Sequence, residues 1–122
     1  RDHRVTVNLS TATFVRFCLR KCGPQDFQSL RLLICGAEKL PMSLATEFEK
    51  RFGILPLEGY GCTELAPVVS TNLADQPCGH VTEVFNRPGT VGPPLPGVAG
   101  RVAHPETSEW LPRGEEGILA FL

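Results

Sequence analysis

An alternation of strand and helix patterns in the first half of the chain constrains the fold most strongly. Apolar or β-branched runs at 5–9, 30–35 and 54–58 are typical of strands. Between them, apolar side chains recur at helical spacing over 12–22 and 44–52. This order predicts right-handed βαβ units and a parallel sheet, a fold in which ligands bind at the carboxyl ends of the strands.

The ends of the predicted elements carry signals of their own. The pair Ser10-Thr11 places hydroxyls where the first helix needs an N-cap, and Gly23-Pro24 ends that helix. Ser43 or a neighbour is the expected cap of the second helix, which ends at Gly53. The nearly continuous apolar run before the second helix predicts a strand that is buried on both faces.

The second half of the chain has a different pattern. A further strand is predicted over 67–72, after which helical periodicity disappears and proline and glycine become frequent. Strand patterns return at 98–104 and 117–122, joined by polar turns, and predict part of an antiparallel sheet or barrel. We therefore divide the chain into an α/β part (1–74) and a β-rich part (75–122) of one domain.

Composition limits the class of protein. A chain of 122 residues suits a single domain, and 42 % hydrophobic with 20 % charged residues argues against disorder. Twelve basic and 13 acidic side chains give no polyanion-binding surface, so nucleic acid is not an expected partner. Because the chain opens and closes on strand-like segments, we expect a piece of a longer protein.

The cysteines and the lack of long apolar runs predict the compartment. Five cysteines form no Cys-x-x-Cys pair, which favours a reducing, cytoplasmic setting over disulfides or zinc. The three histidines lie far apart, so no metal ligand set is visible apart from a carboxylate suited to Mg²⁺. No apolar run approaches the roughly 18 residues of a membrane span, so we expect a soluble chain whose membrane contacts, if any, lie in other parts of a parent protein.

The segment after the third predicted strand has the strongest concentration of functional residue types. Gly59 and Gly61 flank Tyr60, so the backbone can adopt positive φ and approach a ligand closely. Thr63 and Glu64 supply a hydroxyl and a carboxylate of the kinds that bind phosphate and Mg²⁺. The alternative interpretation is a turn at a strand end, in which the glycines serve only backbone geometry.

A second polar loop, 36–38, follows the strand predicted at 30–35 and is expected at the same sheet edge, which favours one shared ligand site.

Common nucleotide and hydrolase motifs are absent. There is no G-x-x-x-x-G-K-[ST] loop and no G-x-S-x-G elbow. The run that begins at Gly59 departs from the dinucleotide fingerprint, because Glu64 stands where a small residue is required.

Four segments in order resemble the adenylate-forming enzymes, the group that contains acyl-CoA synthetases, luciferases and peptide-synthetase adenylation domains. Residues 59–64, GYGCTE, resemble the Tyr-Gly-x-Thr-Glu signature, and 36–41, GAEKLP, resemble the adenine loop. Residues 11–14 resemble the acyl-pocket Thr-Pro-Thr-Phe with Ala12 in place of proline, and 87–97 resemble the segment that leads into a β-barrel subdomain. Within this group, the sequences of the motifs are most similar to those of bacterial acyl-[acyl carrier protein] synthetases and 2-acylglycerophosphoethanolamine acyltransferases.

The resemblance implies a role for each matching residue. Adenine would lie against the 36–38 backbone and the Tyr60 ring, the α-phosphate near the Thr63 hydroxyl, and Mg²⁺ on Glu64, while Gly61 would leave room for an acyl chain. The residues it assigns to nucleotide binding are Gly36, Ala37, Glu38, Tyr60, Gly61, Cys62 and Thr63, and those assigned to catalysis are Thr63 and Glu64.

The implied reaction joins a carboxylate, here a fatty acid, to ATP, releases pyrophosphate, and passes the acyl group to a thiol of CoA or acyl carrier protein, with lysophospholipid as a further acceptor. The implied fold is α/β with a parallel sheet over residues 1–72, followed by a β-barrel-like part, within a larger N-terminal domain. The family's phosphate loop, ribose-binding Asp and catalytic Lys have no counterpart in these 122 residues, so we expect the chain alone to be inactive. A non-catalytic nucleotide- or acyl-binding module, or a purely structural fragment, remains the alternative.

Overall fold

The computed structural model describes residues 3–78 and 80–122. The strands are β1 (Val7–Ser10), β2 (Leu32–Cys35), β3 (Leu57–Tyr60), β4 (Ser70–Thr71), β5 (Gln76–Cys78), β6 (Val81–Glu83), β7 (Gly100–Ala103) and β8 (Ile118–Phe121). The helices are α1 (Ala12–Lys21) and α2 (Met42–Phe52), and short 3₁₀ turns cover Pro24–Asp26 and Thr63–Leu65. The predicted alternation of strands and helices in the first half is confirmed.

The main sheet has the strand order β1-β2-β3-β4. Strands β1, β2 and β3 are parallel neighbours, which confirms the predicted βαβ units, whereas β4 runs antiparallel to β3. Helices α1 and α2 contribute to one apolar cluster together with β2. Since both crossovers advance the strand order in the same direction, right-handed connections place both helices on one face of the sheet.

The second strand is not buried on both faces, which corrects the sequence-based prediction. Its burial alternates, with Leu33 and Cys35 buried and Leu32 and Ile34 only half-buried. Leu33 and Cys35 belong to the cluster under the helices, where Phe48 is fully buried. Full burial of such a side chain stabilises a fold by about 1.5–3 kcal/mol. Both helices cover the same face, and that arrangement explains the difference.

Three of the four helix ends carry the caps or stops that the sequence predicted. Thr11 caps α1 by accepting a hydrogen bond from the Phe14 amide, and Gly53 ends α2 in the left-handed conformation with φ 73°. The first helix ends just before Gly23-Pro24, as predicted. The expected Ser43 cap is wrong: α2 begins at Met42, so Ser43 lies inside the helix, and the preceding proline offers no capping side chain.

Strand boundaries shift where distant partners pair. The strand predicted over 54–58 is observed at Leu57–Tyr60, and the one predicted over 67–72 shortens to Ser70–Thr71. The pairing of Tyr60 with Ser70 draws the start of the glycine segment into the sheet. Part of the predicted loop is therefore strand.

The β-rich part contains two antiparallel pairs, β5 with β6 and β7 with β8. The antiparallel pairing of the last two predicted strands is thereby confirmed. The described residues show no closed barrel, so the barrel-like subdomain and the division at residue 74 remain predictions. A backbone hydrogen bond of 2.8 Å from the Leu95 amide to the Val69 carbonyl ties this part to the main sheet. Over the described ranges, neither helix is long and apolar enough to cross a membrane.

Candidate functional site

Two loops meet at the carboxyl edge of the parallel strands. The loop after β2 begins at Gly36, whose amide donates a 3.1 Å hydrogen bond to the Ser10 carbonyl at the end of β1. A Cβ placed on Gly36 would lie 3.5 Å from the Gly59 carbonyl oxygen of β3. The ends of three neighbouring strands are thus in direct contact, as the alternation of strands and helices predicted.

A cleft of about 420 Å³ opens at this edge. It is bounded by α1 on one side and by the two loops on the other. Its lining comprises Leu9, Ser10, Thr11, Phe14, Ile34, Gly36, Ala37, Gly59, Tyr60, Gly61, Cys62, Thr63, Pro67 and Val68. Six of the seven residues assigned to nucleotide binding lie here. We call this space the first cleft.

A second cleft, of about 370 Å³, lies beside the first. Its lining comprises Ala37, Glu38, Lys39, Glu58, Gly59, Tyr60, Gly61, Gly89, Thr90 and Val91. Glu38, the remaining predicted residue, lies here, while Ala37, Tyr60 and Gly61 border both clefts. A larger cavity of about 530 Å³ lies beside β7 and β8 and contains none of the predicted residues, so volume alone does not locate the site.

Tyr60 has an aromatic partner that sequence reasoning missed. Its ring stacks on Phe121 of β8, with centroids 5.9 Å apart and planes 26° apart. The Tyr60 side chain stays 38 % exposed, so ring surface remains open toward the clefts. Strand β8 thereby supports the ring that the resemblance places against adenine. A separation of 61 residues leaves no local sequence signal for this contact.

Packing requires the signature glycine Gly61 and favours Gly59, and neither adopts the expected positive φ. Neither Gly59 nor Gly61 has positive φ. A Cβ on Gly61 would overlap the Pro67 carbonyl oxygen, and one on Gly59 would lie 3.1 Å from the Ile34 side chain. The alternative interpretation, in which these two glycines serve only backbone geometry, is therefore sufficient to explain their presence without any ligand.

The left-handed conformation occurs instead at Ala37, whose φ is 65°. For a residue with a Cβ this conformation costs roughly 1–2 kcal/mol, so the surrounding contacts must maintain it. Ala37 is exposed and borders both clefts. The strained residue is therefore located where a ligand would contact the backbone.

The Glu38 side chain is hydrogen-bonded to the first turn of α1. One carboxylate oxygen accepts a 2.8 Å hydrogen bond from the Thr13 amide, and the other accepts a 3.1 Å bond from the Thr13 hydroxyl. The Thr13 amide, followed by the Thr11 and Thr13 hydroxyls, lowers the pKa of Glu38 below its ordinary value. The carboxylate stays ionised, and its two oxygens are engaged by Thr13.

Glu64 is exposed on the 3₁₀ turn Thr63–Leu65 and lines neither cleft. Its own backbone amide, and then the Cys62 thiol, lower its pKa, so the side chain is an ionised carboxylate. No cluster of three or more His, Cys, Asp or Glu that could hold a metal occurs within 3–78 or 80–122. One carboxylate suits Mg²⁺ when phosphate oxygens and water complete the coordination.

Asn72 organises the loop that closes the second cleft. It is buried, and its side chain donates a 2.6 Å bond to the Thr90 carbonyl and accepts a 2.8 Å bond from the Arg87 amide. Its own amide donates a 2.8 Å bond to the Glu58 carbonyl. Gly92 has φ 79° and leaves no room for a Cβ beside the Asn72 backbone. The segment 87–97 is thereby held against the clefts, a role for Asn72 that its sequence context did not indicate.

Parallel strands with two loops at their carboxyl edge form a site type common in nucleotide-binding α/β proteins. The family model described as AMP-binding enzyme matches residues 1–121. The chain therefore belongs to the AMP-binding enzyme family, as the four sequence segments indicated.

Individual relatives include a CoA ligase and a CoA synthase. The chain is 33 % identical to a long-chain-fatty-acid–CoA ligase of Escherichia coli over 94 residues, which cover 77 % of this chain and 15 % of that protein. It is 38 % identical to a feruloyl-CoA synthase of Amycolatopsis over 92 residues, covering 75 % and 17 %. The chain thus spans less than a fifth of either relative.

Solved structures show the same fold. The crystal structure of apo MatB from Rhodopseudomonas palustris superimposes with a TM-score of 0.80 at 32 % identity, covering 98 % of this chain and 23 % of that one. The ATP-bound form of MatB gives a TM-score of 0.77 at 34 % identity, covering 98 % and 22 %. The arrangement described above is therefore one segment of a larger enzyme fold in these relatives.

Proposed function

We propose that the chain forms the central part of an ATP-dependent acyl-CoA ligase, which converts a carboxylate and ATP to acyl-AMP and pyrophosphate and then passes the acyl group to CoA. The observation that carries the proposal is the convergence of the two loops around Tyr60, because it brings Gly36, Ala37 and Thr63 to one place. MatB, a related protein of the same fold, has been solved with ATP bound, which supports a nucleotide as the ligand of the larger protein.

In this proposal, adenine lies between the Tyr60 ring and the backbone of 36–38. An aromatic ring and flat peptide groups provide the apolar surfaces that a purine needs, and the Tyr60–Phe121 stack limits rotation of the ring. The Thr63 hydroxyl contacts the α-phosphate. Its position on the lining of the first cleft, beside Gly61 and Cys62, supports that role.

Glu64 is the proposed Mg²⁺ ligand. Mg²⁺ would offset negative charge as the carboxylate of the substrate attacks the α-phosphorus and pyrophosphate leaves. Its exposure and lowered pKa fit a carboxylate that binds a metal only together with nucleotide phosphates. The protein contributes one fixed negative charge, and the nucleotide supplies the remaining anionic oxygens.

The acyl group is proposed to occupy the first cleft. Leu9, Phe14, Ile34 and Val68 give this cleft an apolar wall, which suits a fatty acid or another carboxylate with an apolar body. We propose CoA as the acceptor because the relatives named above are CoA ligases and synthases. Transfer to acyl carrier protein or to a lysophospholipid stays a narrower prediction that rests on the sequences of the motifs alone.

Pyrophosphate release by the full-length protein that contains this chain tests the proposal. The substrates are ATP, Mg²⁺ and one carboxylate from decanoate, malonate or ferulate. Glu64→Ala is expected to lower turnover by about a hundredfold or more, in the range of other electrostatic contacts to a transition state. Glu49→Ala, which removes an exposed carboxylate on α2, is the matched control and should leave turnover unchanged.

The outcomes separate the proposal from its main alternative. A wild-type protein that binds ATP and releases no pyrophosphate with any of the three carboxylates, even with CoA present, would be a nucleotide-binding module without catalysis. Unchanged turnover in Glu64→Ala would remove the role given to Glu64 and leave the enzymatic proposal intact.

A further inference from the structure

The loop 36–38 is attached to the β1–α1 connection at both of its ends. At one end the Gly36 amide donates its hydrogen bond to the Ser10 carbonyl. At the other end the Glu38 carboxylate accepts two hydrogen bonds from Thr13, at 2.8 and 3.1 Å. We call the latter pair the Glu38–Thr13 contact. It joins positions that are 25 residues apart in the chain.

The Glu38–Thr13 contact supplies a hydrogen-bond acceptor at the N-terminus of α1. The first amides of a helix have no partner within the helix, and a negative charge near them is favourable. Thr11 satisfies the Phe14 amide, and the first turn of α1 contains no acidic residue. Glu38 therefore supplies both the acceptor for the Thr13 amide and the only carboxylate that the described contacts place on this helix end.

The contact also holds the strained part of the loop. Ala37 lies between the two attachment points in the left-handed conformation, with φ 65°. Because this conformation is unfavourable for alanine, release of one attachment would allow the loop to relax toward ordinary φ values. Relaxation would move the backbone that borders both clefts.

The other partner of the contact, Thr13, lies between two residues that border the first cleft. Thr11 and Phe14, on either side of Thr13, line the cleft that we assign to the acyl group. The wall of the acyl cleft and the proposed nucleotide loop are thus joined by one carboxylate. Any coupling that this contact transmits between the two walls acts equally in both directions.

We propose that Glu38 is a positioning residue that couples nucleotide binding to carboxylate binding by joining the 36–38 loop to the N-terminus of α1. This inference rests on the proposed function, because it takes the nucleotide to contact the 36–38 backbone and the acyl group to occupy the first cleft. It assigns the Glu38 side chain a task beyond the backbone contact with adenine that the sequence implied.

Calorimetric titration of the full-length protein tests the coupling. The probe is adenosine 5′-(α,β-methylene)triphosphate with Mg²⁺, titrated with and without the carboxylate that the wild type uses fastest among decanoate, malonate and ferulate. The carboxylate is expected to tighten nucleotide binding by about fivefold or more in the wild type. In Glu38→Ala this ratio should fall toward one, whereas Glu38→Gln, which loses the charge and keeps an acceptor for the Thr13 amide, should show a smaller fall.

Two further measurements distinguish positioning from general destabilisation. The KM values for ATP and carboxylate are expected to rise together in Glu38→Ala, by about fivefold or more each, with a smaller change in kcat. Hydrogen exchange at the Thr13 amide should accelerate in Glu38→Ala, accelerate less in Glu38→Gln, and stay unchanged in the control Glu49→Gln. Glu38→Gln retains an acceptor oxygen of similar shape, so it preserves the fold if Glu38→Ala does not.

Each outcome decides the inference. If the wild type turns over fully and both Glu38→Ala and Glu38→Gln retain the wild-type coupling ratio, the coupling is overturned and the proposed function stands. A wild type in which the carboxylate does not alter nucleotide affinity would do the same. A wild type that neither binds the ATP analogue nor turns over any of the three carboxylates would overturn both proposals.

Discussion

Tyr60 of β3 stacks on Phe121 of β8, with ring centroids 5.9 Å apart and ring planes 26° apart. The contact joins the last described strand pair to the edge where the two loops meet, so the β-rich part supports the candidate site directly. It also leaves Tyr60 partly exposed, at 38 % of its surface. An aromatic ring that stacks on a neighbouring ring and remains partly exposed is suited to bind a flat ligand.

The first prediction concerns this stack. Phe121→Ala is expected to weaken binding of AMP to the full-length protein by about three- to tenfold, because aromatic pairs of this kind contribute roughly 0.5–1.5 kcal/mol. Tyr60→Phe, which keeps the ring, should bind AMP nearly as well as the wild type, whereas Tyr60→Ala should bind it less well than Phe121→Ala.

Calorimetric titration with AMP gives the affinities. Phe17→Ala serves as the control, because Phe17 is an exposed aromatic residue of α1 that lines neither cleft. Equal AMP affinity in wild type, Phe121→Ala and Tyr60→Ala would show that the ring does not contact the base.

The second prediction concerns the signature glycine Gly61. Its Cβ position is occupied by the Pro67 carbonyl, so Gly61→Ala requires a backbone shift and is expected to lower the free energy of unfolding by roughly 2–4 kcal/mol. Gly36→Ala is a matched control for stability, since its Cβ would lie at an ordinary contact distance of 3.5 Å and its φ is not positive.

Urea denaturation of the full-length protein measures both variants, and Gly36→Ala is expected to stay within about 0.5 kcal/mol of the wild type. Equal stability of Gly61→Ala and wild type would mean that the segment around Pro67 can move freely, and the constraint assigned to Gly61 would then be wrong.

The third prediction concerns pH. Burial, and then the nearby Glu58 and Glu38 carboxylates, raise the pKa of the Cys35 thiol from 9.0 to about 11. The thiol stays neutral in the folded protein while it ionises in the unfolded chain, so its stabilisation is complete below pH 9 and is lost as pH rises from 9 to 11. The expected loss is roughly 1–2 kcal/mol, discounted for partial solvation.

Urea unfolding at a series of pH values measures this effect. Cys35→Ala should show a shallower decline of stability between pH 9 and 11, whatever its stability at neutral pH. Ser43→Ala is the control, because Ser43 is an exposed side chain of α2 that does not titrate in this range, so its replacement should keep the wild-type slope. Parallel pH profiles for wild type and Cys35→Ala would contradict the burial assigned to Cys35.

Local patterns in the sequence were sufficient for the parallel part of the fold. Apolar periodicity identified both helices, and the order of elements predicted that the loops after β2 and β3 would meet. That meeting brought Gly36 and Thr63 to one cleft, as expected. The order of elements carries this information because parallel strands with right-handed crossovers have few alternative arrangements.

The remaining features depend on contacts between distant residues. The antiparallel direction of β4, the Glu38–Thr13 contact and the Tyr60–Phe121 stack are set by packing across the fold and leave no periodic trace. Asn72 was missed for the same reason, since a buried amide that binds two backbone groups has the same sequence context as a surface amide.

Hydrogen exchange of the full-length protein with increasing AMP tests the central claim most directly. If the two loops form one nucleotide site, amides in 36–38 and in 59–64 should become protected together, with the same dependence on AMP concentration, while α2 stays unchanged. Protection of neither loop at AMP concentrations that saturate binding elsewhere in the protein, or of only one of them, would contradict a shared site.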